Sequence, residues 1–182
     1  MKTWKTLSRK TLLQHSKYLT VESHTLELPD GRIIEDWAWL VMPDYVNVVA
    51  VTGDGRFLVF RQTKYCLEGT SLAPVGGYLE PGEDPLAAAR RELREETGYA
   101  APDWTSLGQF HVDANRGAGQ GHFFLAQGAV WAGQVASDDL EEQELLLLTR
   151  AEVEVGLLNH EFKTMPWAFA ISLALLRLQS AG

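Results

Sequence analysis

The chain has 182 residues and 46% apolar content, enough for one main domain with a real core and a small appendage. Its net charge of −8 argues against nucleic-acid binding through a basic field, though a bound metal would still admit nucleotides. A single cysteine, Cys66, rules out an internal disulfide and points to a reducing, cytoplasmic setting; no apolar run is long enough for a membrane helix, and no secretion-signal core is present.

Residues 1–16 are basic and mixed and read as a surface segment with a short strand. Tyr18–Glu22 and Leu26–Leu28 look extended, and Pro29-Asp30-Gly31 is a strong turn signal. Ile33 to Val41 returns as a second strand with Trp37 and Trp39 on one face. Residues 1–44 therefore form an N-terminal β appendage ahead of a main domain over 45–182. Packing in a small β core or a dimer interface is the weightier reading of Trp37, Trp39 and Tyr45.

Val46–Thr52 is a central strand, Gly53-Asp54-Gly55 turns it, and Arg56–Gln62 returns. Arg61 and Lys64 stand at its end, where they meet phosphates or simply face water. Leu67–Ser71 reads as a loop, and Leu72–Val75 leads into Gly76-Gly77.

Asp84-Pro85 opens a helix, because aspartate caps and proline suits the first helical position. Gly98 ends it. Leu86, Ala89, Leu93 and Thr97 make its buried stripe. Glu92, Glu95 and Glu96 share a neighbouring stripe, and Glu83 sits just before the first turn. Like charges at this spacing cost about 0.2–0.5 kcal/mol per pair. Arg91 offsets Glu95 one turn away, and hard divalent cations explain the remaining charge. A solvated acidic face is the plain alternative.

Beyond the helix, Leu107–Val112 is a strand, Asp113–Gly121 a flexible glycine-rich loop containing Arg116, and His122–Ala126 the next strand. Ser137–Glu144 is a second acidic cluster. Leu145–Leu148 reads as a buried strand by its continuity. Ala151–Gly156 starts a short helix, and Trp167–Leu178 closes the chain with Ile171, Leu175 and Leu178 as core.

Gly77, Glu83, Arg91-Glu92-Leu93, Glu95-Glu96 and Gly98-Tyr99 are spaced as in the Nudix box, and the chain resembles the Nudix hydrolases on that motif. The resemblance implies an α/β fold, an α/β/α sandwich with a mixed sheet. It also implies Mg²⁺- or Mn²⁺-dependent hydrolysis of a nucleoside diphosphate linked to another group. Glu92 and Glu96 would be the main metal ligands, Glu95 and Glu83 would assist, and the Gly76 carbonyl would complete the shell. Arg91 would orient the glutamates. The N-terminal appendage and the Arg61–Tyr65 segment resemble the ADP-ribose and ADP-sugar pyrophosphatase branch, which implies a homodimer and a small-molecule nucleotide substrate; the charge and the apolar runs noted above lead to the expectation of no nucleic acid and no membrane. In that branch a glutamate at the second acidic cluster acts as general base, and Glu142 and Glu144 fit best, with Glu141 close behind. Trp37, Trp39, Arg61, Lys64 and Arg116 are the candidate substrate contacts, and the resemblance makes Trp37, Trp39 and Tyr45 candidates to stack on a base. The branch often has glutamate where Ala73 stands and proline where Val75 stands. Its ADP-ribose-cleaving members tend to carry a proline near the position of Asp113 or Ala114, and this chain has none there.

Overall fold

The structure is a computed structural model, and residues 2–133, 135 and 142–180 are described. The elements in chain order are β1 (Lys5–His15), β2 (Leu19–Glu27), β3 (Ile33–Val41), β4 (Tyr45–Thr52), β5 (Phe57–Gln62), β6 (Ser71–Ala73), β7 (Val75–Tyr78), α1 (Pro85–Thr97), β8 (Tyr99–Ala100), β9 (Asp103–Asp113), β10 (Gly117–Trp131), β11 (Gln143–Leu148), α2 (Arg150–Leu158) and α3 (Met165–Gln179). Antiparallel pairs dominate, with a parallel bridge between β3 and β10, so the fold is α/β with a mixed sheet and helical cover. Among the described residues no helix is long and apolar enough to cross a membrane.

The chain divides into two compact units, Met1–Asp44 with Phe110–Gly121, and Tyr45–Gln109 with His122–Gly182. In the first, β1, β2 and β3 form an antiparallel meander. The N-terminal segment is a full eleven-residue strand rather than a short one, and the two extended pieces before Pro29 are one strand, β2. The expected flexible loop at 113–121 is mostly strand. The Asp113 carboxylate accepts the backbone N–H groups of Asn115 and Arg116 at 2.6 and 2.8 Å, which closes a tight turn, and β10 begins directly at Gly117. The glycines there serve a turn and a strand start.

The second unit is built on strands buried on both faces. Val46, Val48 and Ala50 of β4, Leu58 and Phe60 of β5, and Phe124 and Ala126 of β10 pack against Ala88, Ala89 and Leu93 of α1. The alternate residues Val49, Val51, Phe57, Val59, Phe123 and Leu125 pack against Val153 of α2 and Ala170, Ile171, Ala174 and Leu175 of α3. Period-2 alternation thus sends each strand into two helical layers. β11 is different. Its Leu145–Leu148 run is apolar throughout, yet β11 pairs with β5 at the sheet edge and keeps intermediate or exposed positions, Leu147 at 46%. A continuous apolar run does not separate an edge strand from a central one.

Two strands part at the point that matters for the site. β4 and β5 pair at Ala50↔Leu58 and Val51↔Phe57, and then each takes a new partner. β4 pairs with β7 over Tyr45–Val48, and β5 pairs with β6 over Phe60–Gln62. The polypeptide from Ser71 to Tyr78 therefore lies between their ends.

α1 begins as the residues dictate. Asp84 Oδ1 accepts the Leu86 and Ala87 N–H groups at 3.1 and 3.0 Å, and Pro85 occupies the first turn. Ala88, Ala89, Leu93 and Thr97 are fully buried, while Leu86 is only partly so. Gly98 takes φ 72° and donates its N–H to the Arg94 carbonyl. A Cβ there would lie 2.5 Å from the Trp131 ring and 2.6 Å from the Gly133 carbonyl. Gly98→Ala should therefore cost more than the roughly 1–2 kcal/mol of a left-handed alanine. A drop in the thermal midpoint of at least about 3 °C is expected for a chain of this size; an unchanged melt would show that the helix end relaxes without cost.

Candidate active site

α1 and the turn that precedes it gather three carboxylates around one guanidinium. Arg91 donates from Nε to Glu83 Oε1 and from Nη2 to Glu83 Oε2, both at 2.9 Å, a bidentate pair. Its Nη1 donates to Glu92 Oε1 at 2.7 Å and to Glu95 Oε2 at 3.2 Å. Nη2 also reaches the Tyr78 carbonyl at 3.3 Å, which ties the cluster to β7. The hydrogen bond from Arg91, helped by the Glu80 N–H, holds the Glu83 carboxyl below its ordinary value. Arg91 is raised in turn, chiefly by its hydrogen bond to Glu83.

The fourth carboxylate, Glu96, accepts the Gly76 N–H at 3.2 Å through Oε2. Gly77 supplies the close approach that lets Glu92 lie against β7. A Cβ on Gly77 would sit 2.2 Å from Glu92 Oε1, inside any permissible contact. Only glycine leaves that seat for the carboxylate.

These residues fit a hard divalent cation. Glu92, Glu95, Glu96, Glu83 and the Gly76 carbonyl offer oxygen alone, which suits Mg²⁺ or Mn²⁺ and not a thiophilic metal. Glu92 and Glu83 are largely shielded, with 12% and 16% of their side chains exposed, so their charge is weakly screened. Among the described residues no three acidic, histidine or cysteine side chains converge into a preformed cluster. The ion pairs explain this: Arg91 draws Glu83, Glu92 and Glu95 to itself.

Beside this cluster lies a cleft of about 210 Å³. Gly76, Gly77 and Glu96 form its carboxylate end, and Lys64, Gln62, Gln143 and Trp167 line it further along. It opens where β4 and β5 part. Tyr45 also lines it; its ring packs edge-on to Phe123 at 6.2 Å, and burial pushes its phenol up.

Other expected residues lie elsewhere. Arg61 and Glu144 are register partners on β5 and β11 and form a 3.3 Å ion pair. They alternate with Gln62 and Gln143, so they face the α2 side, where Arg61 lines a separate groove with Ala151, Glu152 and Val155. The cleft receives Gln62 and Gln143 instead. Glu142 is exposed just before β11, and Glu141 lies outside the described residues. In the N-terminal unit, Trp37 donates from Nε1 to the Asn115 carbonyl at 2.7 Å, Arg116 lies over its ring at 4.9 Å, and Trp4 meets it edge-on at 5.3 Å. Trp39 stacks on His24 at 5.3 Å. Trp37, Trp39 and Arg116 are thus brought together, in a unit distinct from the one that carries the carboxylates.

Two cleft residues escaped the sequence reading. Asn47 and Gln62 are buried at 3% and 7% exposure. A polar amide inside the run Val46–Val51 was the available signal, since burying one unpaired costs about 1–3 kcal/mol.

A helix-covered mixed sheet carrying a glycine-seated glutamate helix makes this an α/β protein with an all-oxygen carboxylate site. Residues 41–168 match the NUDIX domain, and residues 4–40 match the nucleoside diphosphate sugar hydrolase N-terminal domain. The chain is 33% identical over 127 residues to an ADP-ribose pyrophosphatase of Bacillus subtilis (strain 168), covering 68% of each. It is 31% identical over 128 residues to a methanol dehydrogenase activator of Bacillus methanolicus, covering 70% of this chain and 69% of that one. A crystal structure of an ADP compounds hydrolase superposes with a TM-score of 0.82 at 24% identity over 100% of this chain and 97% of the other, a likeness of fold. The chain belongs to the Nudix hydrolases.

Gly77→Ala should push the Glu92 carboxylate off its seat. The expected result is at least a tenfold loss of hydrolase turnover with a near-native melt. Full turnover would mean that Glu92 works without this contact.

Proposed function

We propose that this enzyme cleaves the pyrophosphate bond of ADP-ribose or a nucleotide sugar, giving a nucleoside monophosphate and a sugar phosphate. The observation that carries the reading is the seating of Glu92 and Glu96 on Gly76-Gly77 beside the cleft, with Arg91 holding Glu92 and its neighbours Glu83 and Glu95. The match of residues 4–40 to a nucleoside diphosphate sugar hydrolase N-terminal domain and the B. subtilis relative's name favour this substrate class.

Glu92, Glu96 and Glu95, assisted by Glu83 and the Gly76 carbonyl, would hold Mg²⁺, with Mn²⁺ as a substitute. When bound, the metal neutralises charge on the pyrophosphate oxygens. The chain's own part is positional. Arg91 fixes the carboxylates and takes no role toward substrate. Lys64 offers a cation within the cleft. Glu144 is paired to Arg61 on the opposite face, so the base role falls to the segment ahead of β11, with Glu142 as its described member. Arg61 is accordingly not assigned to the phosphates. Trp37 and Arg116 stack on each other and belong to the packing of the N-terminal unit.

That unit also supports a homodimer. β1 is an edge strand whose Leu7, Leu12 and Leu13, with Trp4 just before it, are 45–59% exposed, an arrangement that natural proteins usually cover. Sedimentation at micromolar concentration should give twice the 20.3 kDa chain mass; a monomer would remove this assignment.

The test of function is a panel of ADP-ribose, nucleotide sugars, dinucleoside polyphosphates, NADH and oxidised nucleoside triphosphates with Mg²⁺ or Mn²⁺. ADP-ribose or a nucleotide sugar should turn over fastest, EDTA should stop the reaction, and Mg²⁺ should restore it. Glu96→Gln should abolish monophosphate release with the fold intact. Glu142→Gln should slow turnover at least about tenfold, within the range of general-base contributions. Glu144→Gln should change it less than threefold, and the reverse order would return the base to β11.

A further inference from the structure

The cleft beside Glu96 holds two side chains that the reading above leaves without a task. Asn47 and Gln62 are each more than nine-tenths buried. Neither side-chain amide has a hydrogen-bond partner among the described residues. Neither is sealed from solvent, unlike His122 Nε2 and Thr164 Oγ1, and the cleft is the opening that both residues line. Buried amides are normally satisfied, so an amide shielded on most sides and unpaired on the last is suited to a polar group arriving in the cleft.

Their placement follows from the parting of β4 and β5. Asn47 is the register partner of Gly76, and its Oδ1 would lie 3.3 Å from a Cβ on that glycine. Gly76 in turn donates to Glu96. Asn47 therefore stands one residue pair from the carboxylate end. Gln62 ends β5, opposite Gln143 of β11. Pro166 and Trp167 at the start of α3 add an apolar wall to the same cleft.

We propose that Asn47 and Gln62 form a polyol subsite, which binds the hydroxyls of the sugar esterified directly to the pyrophosphate. The inference rests on the pyrophosphohydrolase reading of this cleft and names the moiety that it holds. Each amide presents a donor and an acceptor, and so does each sugar hydroxyl, so one amide can satisfy two neighbouring hydroxyls. Trp167 offers an apolar face for the ring carbons. Two features argue for a sugar rather than a base here. A cleft of about 210 Å³ takes one ring system, and Asn47 lies too near Glu96 for a base, which is separated from the phosphate by its own ribose. A site that hydrogen-bonds hydroxyls also rejects analogues lacking them, because its amides are then left unpaired.

The test compares ribose 5-phosphate with inorganic phosphate in the presence of Mg²⁺, by calorimetry on the full chain. Wild type should bind ribose 5-phosphate at least tenfold more tightly than phosphate. Gln62→Leu and Asn47→Ala should each weaken the sugar phosphate by about tenfold and leave phosphate within twofold. Gln62→Met, unbranched and close in length, covers the case in which leucine disturbs packing, and thermal melts report folding for all three. In turnover, KM for ADP-ribose should rise with kcat held within threefold. Equal weakening of both ligands, unchanged binding in the variants, or no preference of wild type for the sugar phosphate overturns the subsite. Failure of wild type to cleave any nucleoside diphosphate sugar would instead remove the functional reading, and the binding comparison would still decide the subsite.

Discussion

Arg91 is one cation among three carboxylates, and the geometry of the site depends on it. Without it, Glu92 and Glu95 repel across one turn of α1, and Glu83 has no reason to fold back onto the helix. Hydrogen bonds to charged groups contribute about 1.5–3 kcal/mol, against a few tenths for each exposed like-charge pair. The bidentate bond to Glu83 and the short bond to Glu92 lie in shielded surroundings and dominate. The bond to Glu95, whose side chain is 47% exposed, is discounted by solvent. The result is an arc of carboxylate oxygen gathered on Arg91 at modest cost.

The arc would point nowhere useful without β7. The sheet is covered by helices on both faces, so its interior has no room for charge. The exit is the parting of β4 and β5, where Ser71–Tyr78 inserts and Gly76-Gly77 brings bare backbone against Glu92 and Glu96. Packing and chemistry meet at those two glycines. The same segment that completes the ladder on β4 presents an N–H to Glu96 and makes space for Glu92. The two helical layers keep that segment fixed, because Val75 and Ala73 are buried at 0% on either side of Pro74.

What was legible in the sequence is what is local. The Asp84 cap, Pro85, the Gly98 stop and the i, i+3, i+4 glutamates are set within one helix, and each is found as read. What was not legible depends on partners far along the chain. Arg61 and Glu144 look like site residues by type, yet β5–β11 register turns them to the α2 face and gives the cleft to Gln62 and Gln143. Leu145–Leu148 reads as interior because nothing in its composition says that, among the described residues, β11 ends the sheet. The Asp113–Gly121 run has loop composition, but a single side-chain-to-backbone turn lets the strand resume at Gly117. Periodicity gives a strand two faces; it does not say what each face meets.

The same argument explains why specificity should reside in residues of unremarkable type. On the proposed reading, a metal arc that gripped a pyrophosphate would treat every nucleoside diphosphate derivative alike, since all share that group. Discrimination must come from groups paired only when the right neighbour of the pyrophosphate is present. Charged side chains serve this poorly, because they attract any phosphate. Buried amides serve it well, because the cost of leaving them unpaired is what rejects a wrong substrate. Asn47 breaks the apolar run of β4, and Gln62 ends β5 just where the strands part. Their polarity has no use in the core, which makes the cleft the place where it acts.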